Sequence, residues 1–366
     1  MRVTVIGIPE STRVAGFRDA LLAAGHEPPE VVSWVDVLEG ATPEGLVRID
    51  SPGRSWNTEK RLLGLGVAAE GSGDGFTALE IRSMSEPAGR IVARRQWHRG
   101  WSRALGELKA RARHASFSSD PDDLILLFDK HACQERLERF GCRAPRSLGT
   151  PAGFDDLRER MRLAGCRRVM LKSCHGSSAS GMLALEMSRG RIQAFTTARL
   201  ANGALWNHRP VRLTTDWAEI IALVDALCRH KAQAQWWVPK MGWLGHRIDL
   251  RVVTIGGRAA HTIVRMSRTP FTNLQLFNQR GNMDRFGQEH PDALAAARAE
   301  AERAAAAFPR CLALGIDVAL DPAGRAWVLE ANAFGDLLPG CLVDGWDTYR
   351  WQVEAMRARY VSATGL

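Results

Sequence analysis

GIDVALDPAGRAWVLEAN, residues 315–332, decides the fold. Two β-forming runs flank Asp321-Pro322-Ala323-Gly324, so the stretch reads as an antiparallel hairpin. A loop of about four residues pairs Leu320 with Arg325 and Asp317 with Val328. Glu330 then lies diagonally from Asp317 on the same face, with Cα atoms roughly 7–8 Å apart. The pleat keeps Asn332, two residues on, on that face. Two carboxylates and an amide oxygen suit Mg²⁺, which keeps several waters and binds substrate phosphates. The alternative is a solvated polar strand face. The apolar neighbours Ile316, Val318, Trp327 and Leu329 weigh against it.

Upstream, RIDLRVVTI (247–255) and RAAHTIVRM (258–266) flank Gly256-Gly257, a second hairpin signal. With a three-residue loop and a bulge, Asp249, Arg251 and Arg265 share a face; a strict two-residue turn puts Arg265 on the other. Arginine forks suit phosphate and carboxylate oxygens, although a solvated charged face is the commoner outcome. The loop that follows, TPFTNLQLFNQRGN, adds Asn273, Asn278 and Arg280. Asp292 to Phe308 is Ala-rich, follows Pro291 and reads as a helix. Further upstream, RRVMLK, GMLALEM and RIQAF are joined by SCHGSSAS and SRG, the pattern of an antiparallel sheet. Lys172 at a strand end, followed by small residues, can hold phosphate oxygens with its charge, backbone N–H groups and hydroxyls. Cys174 and His175 could instead be nucleophile and base, but no third orienting group is visible.

The N-terminal third opens as strand (Val3 to Ile8), helix (Arg13 to Ala24) and strand (Val31 to Val35), the start of an α/β domain with a parallel sheet. No GxGxxG follows the first strand, and GVAAEGSGDGF is a loop with no GK[ST] after it. Residues 117–130 look like a junction. RRQWHRGWSRALGELKARARH (94–114) carries seven Lys/Arg against one Glu, with Trp97 and Trp101 interleaved. It reads as a surface helix, a nucleic-acid patch or an electropositive wall for an acidic substrate, the first weighing most. The 366 residues carry 49 Lys+Arg against 40 Asp+Glu, a surplus of nine positive charges that favours anionic partners. Hydrophobic residues at 45% and charged residues at 24% exclude a disordered or collagen-like chain. No apolar run spans a membrane and the N-terminus does not read as a signal peptide. Seven Cys without a CxxC pair indicate neither a disulfide framework nor a zinc site, so the expected compartment is the reducing cytoplasm.

Taken in order, LLFDK with Lys130, VMLKSCHGSSASG with Lys172, DLRVVTIGGRAAHTIVRMS and GIDVALDPAGRAWVLEANAFGDLLPG resemble the ATP-grasp superfamily. The likeness spans roughly residues 125 to 340 and is nearest to glutathione synthetase and RimK-like carboxylate–amine ligases; SRTPFTNLQLFNQRG is similar to a less characterised bacterial branch. The resemblance implies an α/β class fold: an N-terminal α/β pre-grasp domain (1–115), a central lid-bearing lobe (116–237) and a C-terminal catalytic lobe (238–366), the two lobes forming the α+β grasp module. It implies that Lys130 and Lys172 hold ATP phosphates under a loop with Ser173, Gly176, Ser177, Ser178 and Gly181. Trp237 and Val238 would offer backbone groups to adenine. Arg251 and Arg265 would steady the transferred phosphoryl group, with Asn273 in the catalytic set. Asp317, Glu330 and Asn332 would hold two Mg²⁺. Two positions depart from the pattern: Gln235-Trp236 stands where relatives usually place Glu, and Gly315 where some place Arg.

The expected activity is an ATP- and Mg²⁺-dependent ligation of a carboxylate to an amine through an acyl phosphate, releasing ADP and phosphate. The alternatives are a kinase acting on a hydroxyl and a non-catalytic nucleotide-binding regulatory protein. The expected partners are ATP and small carboxylate and amine substrates, a peptide among the options, with a homodimer allowed and neither membrane nor nucleic acid favoured. In RIDSPGRSWNTEKRLLGLG (48–66), Arg48, Ser51, Gly53 and Arg54 precede an expected helix and form a candidate anion site for the acid; an ordinary helix cap is the alternative. Arg268 and Arg280 complete the substrate candidates.

Overall fold

The computed structural model describes residues 2–53, 55–67, 75–87, 89–334 and 337–364. The N-terminal unit contains β1 (Val3–Gly7), α1 (Thr12–Ala23), β2 (Glu30–Ser33), α2 (Trp34–Leu38), β3 (Leu46–Ile49), α3 (Trp56–Leu65), α4 (Ala78–Ser83), α5 (Arg94–Arg111) and β4 (Ser116–Phe117). Its sheet runs β2-β1-β3-β4, all parallel. The strand expected over Val31–Val35 stops at Ser33. Ser33 and Asp36 form a reciprocal capping box there that starts α2 at Trp34. The helix expected after the Ser51–Arg54 turn begins at Trp56, capped by Ser55, while Ser51 accepts the Gly53 N–H in a local turn. Arg54 lies outside the described residues, as does most of the Gly-rich stretch 66–76.

Next come α6 (Pro121–Leu127), α7 (Lys130–Arg139), β5 (Ser147–Gly149), α8 (Phe154–Leu163), β6 (Arg168–Ser173), β7 (Met182–Ser188), β8 (Arg191–Ala201), β9 (Ala204–Thr214), α9 (Trp217–Arg229) and β10 (Ala232–Trp236). The second sheet has the order β5-β10-β6-β7-β8-β9 and is antiparallel. One face buries Val169, Leu171, Leu183, Leu185, Ala232 and Ala234 against α8 and α9. The chain ends with β11 (Gly242–Trp243), β12 (His246–Ile255), β13 (Arg258–Ser267), β14 (Gln279–Arg280), α10 (Met283–Glu289), α11 (Pro291–Ala306), β15 (Ala313–Leu320), β16 (Ala326–Asn332) and α12 (Thr348–Thr364). The third sheet runs β14-β13-β12-β15-β16, with β11 added to β12. Beneath it lies α11, whose Ala297, Ala301 and Ala304 are fully buried. A stripe of alanines three or four apart lets the helix axis approach the sheet closely.

Chain order and packing diverge in two places. Leu127 of α6 and Cys133 and Leu137 of α7 precede the second sheet but pack into the core of the third. α12 returns to the N-terminal unit, where Val353 and Met356 meet Val5, Phe17 and Leu21. The basic stretch 94–114 is α5 and the turn after it, and Trp97 and Trp101 are buried. Trp101 packs against Trp34, Phe128 and Phe334, which joins the N-terminal unit to the segments before Lys130 and after Asn332. Neither indole is offered to a base, so the aromatic half of the nucleic-acid reading is lost.

Candidate active site

The upper face of the third sheet is polar because its register places every charged residue on one side. Ile255 pairs with Arg258 across a two-residue Gly256-Gly257 turn, which alone would turn Arg265 away. A bulge at Ala260 restores the parity and sets Asp249 opposite Arg265. Asp317 pairs with Arg251 on one side and directly with Glu330 on the other, and Gly315 pairs with Asn332. The diagonal expected for Asp317 and Glu330 is therefore a direct pair. The hairpin closes at Leu320 and Ala326, one residue later than expected, and Leu329 bulges.

Asp249 is the hub of this face. It accepts from Arg265 Nε at 2.7 Å and Nη2 at 3.0 Å, from Lys240 Nζ at 3.0 Å, and from the Thr272 hydroxyl. Asp317 Oδ1 accepts from Arg251 Nη1 at 2.7 Å, with Arg265 Nη2 at 3.2 Å. Burial pushes both carboxyls up, but the facing cations prevail and hold them below the usual carboxylate range. Lys240 and Thr272 were invisible as site residues in the sequence: one follows Pro239 and the other sits in a loop. The only signal was a buried-looking acid, Asp249, in an apolar strand that needed cations from elsewhere.

The second sheet faces this surface across a cleft. Strand alternation puts Lys172 and its neighbours Gln233 and Met182 on the face away from Leu171 and Ala234. Lys130, at the start of α7, contacts Glu330 of β16 with its ammonium, the two elements packing in one core. Lys130, Lys172, Gln233, Gln235 and Glu330 line one narrow cavity. Burial pushes Lys172 down to about 8, opposed by Glu330 and reinforced by Lys130. After Lys172 the loop carries Ser178 and Ala179 at positive φ, 57° and 56°, and is tied back by Thr197, which donates to the Ala179 carbonyl at 2.7 Å. Ser177 and Ser178 are exposed, Gly176 is half-buried, and Gly181 at φ 64° closes onto Ile91 and Leu227. Ser173 is buried, its hydroxyl without a partner, and pairs with Ala232 on the side away from Lys172. Cys174 is buried and its thiol is pushed up to about 12, first by burial and then by Asp129; that removes the nucleophile reading.

Trp237 packs with Met170 and Phe271, and its N–H is taken by the Arg168 carbonyl at 3.2 Å; Val238 is buried next to it. Asn273 is half-buried, one residue from Thr272, and its carbonyl accepts from Asn278. Its loop crosses the cleft, because Phe271 and Leu276 pack onto Met170 and Ala184 of the second sheet. Arg280 pairs with Arg265 at the sheet edge and donates to the Pro339 carbonyl. Arg268 is exposed beyond the strand end, where its carbonyl accepts from Arg247. Arg48 is buried, bonded to Asp50 at 3.0 Å and stacked over Phe17.

The acidic face suits a hard divalent cation. Both guanidinium contacts to Asp317 fall on Oδ1, so neither arginine engages its second oxygen. Asn332 spends its N–H on the Gly315 carbonyl at 3.3 Å, which turns its side-chain oxygen elsewhere. The Lys130 ammonium on Glu330 shows that this carboxylate receives a cation. Among the described residues no three His, Cys, Asp or Glu converge on one point, so phosphate and water oxygens would complete the shell. Arg251 Nε is buried without a partner, a donor left for an oxyanion.

Gly315 makes room for this arginine. A Cβ at 315 would stand 2.5 Å from Arg251 Nη2 and 2.6 Å from its Cζ. Gly315→Ala is expected to push the guanidinium off Asp317 and lower turnover by about tenfold or more, the value of a charge-assisted bond. Steady-state rates beside a melting curve check this; an unchanged rate in the folded variant removes the role of Arg251.

No family model and no curated protein matches the sequence. The structure is similar to D-cycloserine synthetase DcsG, with TM-score 0.59 and 14% identity, over 98% of this chain and 99% of that one. It is similar to the ATP-grasp ligase PsnB, solved with minimal precursor, Mg and ADP, with TM-score 0.55 and 16% identity over 98% and 96%. D-alanine–D-alanine ligase from Bacillus anthracis gives TM-score 0.53 and 11% identity over 99% and 98%. These likenesses run almost end to end in both directions, and the chain has the ATP-grasp fold.

Proposed function

We propose that the protein is an ATP- and Mg²⁺-dependent ligase that joins a carboxylate to an amine through an acyl phosphate, releasing ADP and phosphate. The observation that carries this is the contact of Lys130 with Glu330 beside buried Lys172 of the second sheet, the three lining one cavity. A cationic wall facing an acidic sheet face is what a nucleotide triphosphate with divalent metal requires. Lys130 and Lys172 hold the phosphates, and the 173–181 loop covers them. Gln233 and Gln235 line the same cavity. Two Mg²⁺, held by Asp317, Glu330 and Asn332, would neutralise phosphoryl charge when bound. Arg251, with its free Nε, and Arg265 hold the transferred group in line and then stabilise the acyl phosphate while the amine attacks. PsnB is solved with a precursor, and a peptide carboxylate is one form the acid substrate takes in this reading.

The acid enters through a second, narrow cavity at the C-terminal ends of β3 and β4. There Arg13, Arg48, Asp50, Ser119, Gly315 and Phe334 line the wall. Ligands gather at that end of parallel sheets. Arg48 is consumed by Asp50, whereas Arg13 contacts Asp50 at only 3.4 Å and keeps a third of its side chain exposed. Arg13 is therefore the anchor for the substrate carboxylate, in place of Arg48. Arg13→Ala is expected to raise KM for the acid about tenfold with KM for ATP unchanged. Equal KM values for the acid would move its site elsewhere.

The reaction class is tested by incubating the protein with ATP, Mg²⁺ and a library of carboxylic acids in hydroxylamine. Hydroxamate formed in step with ADP supports the acyl phosphate. ADP with a phosphoester and no hydroxamate means a kinase, and no ADP at all means a binding protein.

A further inference from the structure

Asp129 is the residue before Lys130, and it makes four bonds. Its Oδ1 caps α7, accepting from the N–H groups of His131 at 3.0 Å and Ala132 at 3.2 Å. Its Oδ2 accepts from His175 Nε2 at 3.1 Å and from Lys231 Nζ at 2.9 Å. His175 belongs to the loop after Lys172, and Lys231 stands just before β10. Backbone bonds repeat the connection: Lys130 N–H donates to the Cys174 carbonyl at 3.0 Å, and Cys174 N–H to the Lys231 carbonyl at 2.9 Å. On the far side of His175 lies His98 of α5, its ring stacked at 4.1 Å and 17°, its own Nε2 bonded to the Ile125 carbonyl.

We propose that Asp129 and His175 form a positioning couple that holds the phosphate loop against the first turn of α7, and that His98 extends this couple into the N-terminal unit. The inference rests on the nucleotide reading above. The geometry has few other uses. His175 is nearly fully buried, so its bond to Asp129 is not a solvent contact, and its Nδ1 has no partner at all. With Nε2–H committed to Asp129, the neutral ring leaves Nδ1 a bare acceptor, a cost the fold bears to keep an imidazole at this point. Burial dominates at both rings: it and then His175 push His98 down to about 4, and burial lowers His175 although Asp129 opposes. The groups facing His175 are Asp129 and Lys130 from α7, Lys231 from the start of β10, His98 from α5 and Cys174 on its own loop. Two cations, Lys130 and Lys231, already stand at this junction, so a spacer that donates a hydrogen bond without adding charge is what the site can tolerate. Burial pushes the Asp129 carboxyl up, yet the bonds from His175 and Lys231 hold it far below the usual range; it stays an acceptor at any working pH. One carboxylate thus sets the backbone of Lys130 and the path of the loop that follows Lys172.

Two readouts test the couple. Binding of a non-hydrolysable ATP analogue with Mg²⁺ is measured for wild type, Asp129→Asn, His175→Ala and His175→Gln, beside melting curves. Asn keeps the cap acceptor but loses the charge, and Ala removes the bond. Both are expected to weaken binding by about tenfold, while Gln, whose amide can still donate, recovers most of it. Amide exchange over residues 174–180 is followed on the ligand-free protein. It is expected to accelerate in Asp129→Asn, His175→Ala and His98→Ala, and to stay near wild type in His175→Gln. Folded Asp129→Asn and His175→Ala with wild-type exchange overturn the couple, whichever way the nucleotide behaves. Wild-type protein that binds no nucleotide overturns the phosphate reading instead, and the exchange result still decides whether Asp129 and His175 hold the loop.

Discussion

Glu330→Gln is expected to move two measurements in opposite directions. Mg²⁺-dependent turnover should fall by at least about 10²-fold, since losing even a supporting partner of a metal ligand typically costs 10–100-fold. Metal-free ADP should bind about tenfold more tightly at neutral pH, because the substitution frees the Lys130 ammonium from the carboxylate it now contacts. A pH profile adds a third sign. Burial pushes Lys172 down to about 8 and the charge of Glu330 opposes that fall. Without this charge Lys172 gives up its proton at lower pH, so metal-free ADP affinity in the variant declines from a lower pH than in wild type. Titration of ADP in a metal chelator from pH 6 to 10, with rates at ordinary Mg²⁺, gives all three. A variant that keeps its Mg²⁺-dependent rate overturns the metal assignment. A variant with slower turnover but unchanged ADP affinity overturns the Lys130–Glu330 contact.

The sheet face carrying this chemistry was legible because side-chain parity survives errors of two residues and not of one. The hairpin 315–332 closes one residue later than its turn sequence indicates, and this alone would have sent Glu330 to the core side. The Leu329 bulge adds a second shift, so Asp317 and Glu330 face the same way as expected but as direct partners. In the hairpin 249–267 the Gly256-Gly257 turn has two residues, and the bulge sits at Ala260, well away from it. Turn residues are readable from composition; bulges are set by the twist of the finished sheet and leave little trace in sequence. The same limit hid Lys240, Thr272 and the contact between His175 and Asp129, residues separated by 9, 23 and 46 positions from their partners. Periodicity reports which face a residue takes within its own element, and it is silent on which elements meet.

Arg265→Met should cost about 3–5 kcal/mol of stability, the loss expected when one partner leaves a buried ion pair. Arg265 is 6% exposed and forks onto Asp249, 1% exposed, with a further contact to Asp317. Met fills the space but supplies no donor, so Asp249 keeps only Lys240 and Thr272 and Asp317 only Arg251. The pH dependence follows from the same pairs. Both carboxyls lie below their unfolded value of about 4, so the stability they confer is complete above that pH and is lost as pH falls through the folded values. Arg265 is the cation that lowers each of them most. Its removal raises both folded values, so the acid-unfolding midpoint moves to higher pH. Arg265→Lys keeps the charge but not the fork, and should fall between the two in stability while losing most turnover, because one ammonium cannot span Asp249 and Asp317 together. The double variant Asp249→Asn with Arg265→Met should recover part of the stability, since no buried charge is then left facing an apolar side chain. Chemical denaturation at pH 7 and pH 4 of wild type, Arg265→Met, Asp249→Asn and the double variant gives the cycle, with Arg265→Lys measured beside it. Additive losses in the double variant would show that Asp249 and Arg265 do not act as a pair, and the account of this face as one network built around Asp249 would fall with them.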